Sequence, residues 1–117
     1  MELERMGEVL ATKGMGWHKG SLPEPYCWYD ERGIRAEVIH NWTPWDNWPQ
    51  TGKVIEMMQA AGWGVSIGWL GAADATFYRG TVEAFGMVEG ATLAGVCYAV
   101  SVAAARALES EGGDEQA

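Results

Sequence analysis

From Gly90 to Leu108 the chain presents one apolar face with almost nothing to interrupt it. Leu93, Val96, Cys97, Val100, Ala104 and Leu108 recur at helical spacing, with alanines filling the flanks. A helix of this kind must bury that face, and its small side chains let a sheet come close. The preceding residues supply the sheet. Trp63, Val65, Ile67 and Trp69 alternate with Gly64, Ser66, Gly68 and Leu70, the period of a half-buried strand. Its glycines lie opposite large indoles, so a helix or a ligand is expected to pack closely on that second face. Gly71 to Asp74 reads as a turn. Ala75 to Gly80 and Thr81 to Val88 read as two further strands, joined near Arg79-Gly80.

The first half is shorter-grained. Leu3, Met6, Val9 and Leu10 give residues 2 to 13 a helical stripe, and Gly14 and Gly16 end it. Leu22-Pro-Glu-Pro25 reads as a stiff connector and Tyr26 to Asp30 as a strand. Asp30-Glu-Arg-Gly33 is a turn, and Ile34 to Ile39 a short partner strand. Gln50 to Ala61 is a second helix with the stripe Val54, Met57, Met58 and Ala61, closed by Gly62 at the C′ position. The expected architecture is α+β: three helices packed on an antiparallel sheet of about four to five strands, an αβα-type sandwich. Residues 1–108 form a single domain on this reading, and residues 109–117 a disordered acidic tail.

Between the two halves lies His40-Asn-Trp-Thr-Pro-Trp-Asp-Asn-Trp-Pro49. Trp42, Trp45 and Trp48 recur every third residue, with Pro44 and Pro49 disfavouring a regular helix. A backbone with three residues per turn puts all three indoles on one side. The result is an aromatic ledge leading into the helix at Gln50, able to line a pocket, an interface or a core. Seven tryptophans in 117 residues are hard to hide in one small core, which points to homo-oligomerisation as well.

Several function classes drop out. The net charge of −8 argues against duplex DNA, whose binding relies on many lysines and arginines. No apolar run reaches the roughly 20 residues of a membrane span, and the acidic start is wrong for a secretory signal, so an intracellular setting is expected. The glycines around Met15 to Gly20 have the wrong spacing and order for a dinucleotide loop. Gly52-Lys53 has Asn47 where a phosphate loop needs glycine and Val54 where it needs Ser or Thr. His18 and His40 have no metal-ligand spacing, and Cys27 and Cys97, 70 positions apart, read as reduced thiols. We therefore expect no catalysis, no metal and no cofactor.

Three segments together resemble a family of small bacteriophage proteins, the phage αβα-sandwich domain. They are Met15-Gly-Trp-His-Lys19 after an N-terminal helix; Asn41-Trp-Thr-Pro44 feeding the Val54-Ile-Glu-Met-Met58 helix; and Glu89-Gly-Ala-Thr92 entering the last helix. The Trp-Asp-Asn-Trp-Pro stretch departs from that pattern, where relatives carry a Ser/Thr-Asp helix cap. The resemblance implies an accessory phage gene expressed in the host bacterial cytoplasm. By analogy across unrelated folds, such proteins counter host defences, some by sequestering nucleotide-derived signals.

Two functions fit these residues. Trp17, His18, Lys19, Trp42, Trp45, Trp48 and Arg79 hold the ingredients of a site for a small nucleotide-like ligand, an ADP-ribose derivative or cyclic nucleotide. Indoles would stack the base; Lys19, Arg79 and the amides opening the helix near Gln50 would take phosphate. Alternatively, the ledge docks and inhibits a host defence protein.

Overall fold

The computed structural model describes residues 1–20 and 26–116, the last six of them by backbone alone. The Leu22–Pro25 connector lies outside the described residues. Among the described residues, two antiparallel three-stranded sheets and three α-helices frame the fold. The larger sheet has the order β4 (Gly64–Gly68), β5 (Ala72–Arg79), β6 (Val82–Glu89), and helix α3 (Leu93–Gln116) lies along its inner face. Strand alternation turns Ala73, Ala75 and Phe77 of β5 and Ala84 and Gly86 of β6 inward, all buried. Facing them, Val96, Ala99, Val100 and Ala103 of α3 are buried too. The layer is close because atoms are missing. A Cβ on Gly86 would overlap the Ala99 carbonyl oxygen and stand 3.0 Å from the Ala103 amide nitrogen. By length and hydropathy α3 could cross a membrane, yet 67% of its Leu93–Ser110 window is buried within the protein, as in a core helix.

Helix α1 (Leu3–Val9) widens into a π-helical turn, Leu10–Gly14, where the Met15 amide reaches back to the Leu10 carbonyl. Met6, Val9 and Leu10 of the stripe expected from the sequence are buried, while Leu3 at its start is 45% exposed. The smaller sheet follows as β1 (His18–Lys19), β2 (Cys27–Tyr29) and β3 (Arg35–Val38), in that order. The β2–β3 turn is built by Asp30, whose carboxylate accepts the amides of Arg32 and Ile34 at 2.9 and 3.0 Å. The Ile34 hydrogen bond, aided by the Arg32 side chain, holds that carboxyl below the usual carboxylate range against the pull of desolvation. After a 3₁₀ turn (Ile39–Asn41), helix α2 (Trp48–Ala60) packs against α3. Gly62 takes φ +94 just past its end, the left-handed cap that glycine adopts most readily.

Four expectations need correction. There are two sheets rather than one of four to five strands. The strands of the first half are short, a register shift between Trp28 and Tyr29 distorts their ladder, and all of α2 intervenes before β4. The turn assigned to Gly71–Asp74 is narrower, and β5 already begins at Ala72. The glycines of β4 are covered by side chains of the neighbouring strand rather than by a helix. In register, Gly64 faces Tyr78 and Gly68 faces Asp74, and those two side chains lie over them. Finally, α3 does not stop at Leu108, for its backbone is helical to Gln116. The helix-forming Leu108 and Glu109 carry it on, and the Arg5 guanidinium bonds the Glu109 carboxylate at 2.8 Å.

Candidate functional site

A β-turn, Thr43–Asp46, closed by the Asp46 amide on the Thr43 carbonyl, breaks up the expected ledge. The first turn of α2 clamps it. Gln50 accepts the Thr43 amide at 2.7 Å and donates to the Asn41 carbonyl at 2.6 Å, while the Thr51 hydroxyl donates to the Pro44 carbonyl. Three indoles spaced by three in sequence therefore meet three environments. Trp42 is buried, Trp45 is half-buried, and Trp48, the first residue of α2, is 45% exposed.

Trp42 is fixed by its indole N–H, which donates to the Gly7 carbonyl of α1 at 3.0 Å. Trp17 braces it from behind, edge to face, with ring centroids 4.7 Å apart. Trp45 lies on the backbone of α1 at the same residue, since a Cβ on Gly7 would stand 3.1 Å from its ring. From the smaller sheet comes Trp28, paired in register with Lys19, whose ammonium stands 5.5 Å from the Trp28 ring centroid. The Lys19 ammonium is also 3.9 Å from the Glu8 carboxylate.

Together these elements enclose an open cleft of about 460 Å³ between α1, the smaller sheet and the tryptophan turn. Trp28, Trp42 and Trp45 give it aromatic walls; Glu4, Glu8, Lys19 and His40 give it charge and hydrogen-bonding capacity. That volume suits a nucleotide-sized molecule. The polar rim holds two carboxylates against one ammonium, a balance that opposes a polyanion.

Of the residues singled out from the sequence, Lys19, Trp42 and Trp45 line the cleft, and Trp17 supports it from the second row. His18 is not part of the lining and turns its ring toward Tyr29, 6.2 Å away. Trp48 is not part of it either, because the turn and the Asn47 cap rotate it outward onto α2. Arg79 belongs to the other end of α2, where its guanidinium lies 4.5 Å from the Trp63 ring and donates to the Ala61 carbonyl. Thirteen helical residues separate the two ends, about 20 Å at 1.5 Å per residue. The anion site expected near Gln50 is occupied from within, since the Gln50 amide donates to Asn47 Oδ1 at 3.1 Å.

Sequence reading missed Glu4, Glu8, Trp28 and His40. The i, i+4 spacing of Glu4 and Glu8 could have shown that they share a helix face, but no signal tied that face to the tryptophans. Cys27 and Cys97 are free and buried. Among the described residues, no three His, Cys, Asp or Glu side chains gather as a metal site would require.

No family model matches the chain, and no curated protein matches it. Among solved structures, it is similar to a phage protein from Bacillus cereus, with a TM-score of 0.62 and 13% identity over 92% of each chain. At that identity the two share a fold.

Proposed function

We propose that this is a phage accessory protein of the αβα-sandwich kind that binds a small nucleotide-derived immune signal in the tryptophan cleft and sequesters it without catalysis. The observation that carries the reading is the convergence of Trp28, Trp42 and Trp45 with Lys19 around one cleft of nucleotide size. A base stacks on the half-buried Trp45 ring, and Lys19 and His40 meet phosphate. Glu4 and Glu8 accept hydrogen bonds from ribose hydroxyls or an exocyclic amine. The same carboxylates favour a ligand with few phosphates, such as an ADP-ribose derivative, over a highly charged one. A phage setting accords with the shared fold; on this reading the protein acts as a homo-oligomer in the host bacterial cytoplasm.

The test is tryptophan fluorescence and thermal melting against a panel of ADP-ribose derivatives and cyclic dinucleotides. A bound compound raises the melting temperature by mass action and is recovered intact. Trp45→Ala is expected to weaken that compound by about 5- to 150-fold, in line with roughly 1–3 kcal/mol per stacked base. Arg79→Ala should leave its affinity unchanged. Unaltered affinity in Trp45→Ala would remove the cleft as the site. The second reading, docking and inhibition of a host protein, draws on the exposure of Trp48 beside the half-buried Trp45. One stoichiometric host protein released by Trp48→Ala would favour it.

A further inference from the structure

The outer face of the larger sheet, turned away from α3, shares no residue with the cleft. Strand alternation and register set out its surface. On β4 it offers only Gly64, Ser66 and Gly68. On β5 come Asp74, Thr76 and Tyr78. On β6 come Glu83, Phe85, Met87 and Glu89. Because Tyr78 lies down over Gly64 and Asp74 over Gly68, the β4–β5 half is a flat floor. Phe85 and Met87, 48% and 55% exposed, stand beside it as a ridge. With Tyr78, 45% exposed, they leave about 300 Å² of apolar surface uncovered, the size at which patches on a monomer are commonly functional.

We propose that this face docks an amphipathic, basic helix of a partner protein. Shape and charge both select that occupant. The floor is two strands wide, about 10 Å at the usual strand spacing, which is the width of an α-helix. Docking by strand addition along β6 is opposed, because Arg106 already donates to the Phe85 carbonyl at 2.6 Å on that edge. The face carries three carboxylates, Asp74, Glu83 and Glu89. Arg79, the one base within the three strands, points to the inner side and stacks on Trp63. A helix with an apolar stripe meets Tyr78, Phe85 and Met87, and lysines or arginines flanking the stripe meet the carboxylates. A second copy of the same face would instead bring six carboxylates together with no base among the outward residues of the strands.

The experiment uses the full chain, labelled with nitrogen-15, and a synthetic 18-residue helical peptide with a leucine stripe flanked by lysines. Amide shifts confined to β4–β6 are expected, with affinity falling as salt rises. Phe85→Ser combined with Met87→Ser should weaken the peptide at least tenfold, while the melting temperature reports that the fold is kept. Glu83→Gln with Glu89→Gln should weaken it several-fold and flatten the salt dependence. The same peptide with glutamates replacing its lysines should not bind. Shifts that map to the cleft, or equal binding of the acidic peptide, would overturn the assignment. So would sedimentation showing a dimer that the Phe85→Ser and Met87→Ser changes abolish, which would give the face to a second copy.

Discussion

The α3 layer and the tryptophan end are packed on opposite plans. Between α3 and the sheet, alanines and Gly86 let backbone lie against backbone, and few buried polar side-chain atoms are involved. At the other end, bulky indoles fill space, and each brings an N–H that must find a partner. Trp42 finds the Gly7 carbonyl, whereas Trp28 there, like Trp63 at the far end of α2, finds no partner for its N–H among the described residues. A layer defined by missing atoms tolerates no additions. A region defined by large, partly anchored rings leaves gaps, and the cleft is one of them.

The contrast can be broken most directly at Gly86. Gly86→Val is expected to cost about 3 kcal/mol, the upper range for overpacking, because the neighbours it meets are backbone atoms that cannot swing aside. Its melting temperature should fall by about 10 °C, and a shift of only one or two degrees would show the layer to be loose. Next in size is Trp42→Phe. It removes the indole hydrogen bond to Gly7 and part of the contact with Trp17, at about 1–2 kcal/mol by denaturant unfolding.

Trp63→Phe sharpens the same point from the other side. It deletes a buried donor that has no described partner, so a cost within about 1 kcal/mol is expected. Equal losses at Trp42 and Trp63 would mean that ring volume alone matters. The smallest effect is at the Asp30 turn. Its carboxyl titrates below its ordinary range when folded, so the turn's contribution is present above the unfolded pKa and fades as pH drops through the folded one. Amide shifts of Arg32 and Ile34 followed on acidification should track that loss, and Asp30→Asn should erase the dependence.

How much of this was legible in the sequence follows the same division. The α3 face, the β5–β6 hairpin at Arg79-Gly80, the Asp30 turn and the cap at Gly62 were read from periodicity and turn chemistry, because each is decided locally. The ledge was misread because Gln50 and Thr51 clamp the Thr43–Asp46 turn from across seven residues, an interaction that three-residue spacing does not encode. Arg79 was grouped with the tryptophans on composition alone, although the length of α2 holds them apart. Trp28 entered the cleft through the register of β1 on β2, which two-residue strands do not announce.

The bond from Arg106 to the Phe85 carbonyl bears on how a chain like this behaves at high concentration. An unpaired border strand is a template, and a concentrated protein risks growing end to end into fibrils from it. A single guanidinium on that border, rooted in the most deeply packed helix, removes an acceptor that such growth would need. The β6 border is thus guarded at one point, and Arg106→Ala is expected to show itself first as turbidity on storage.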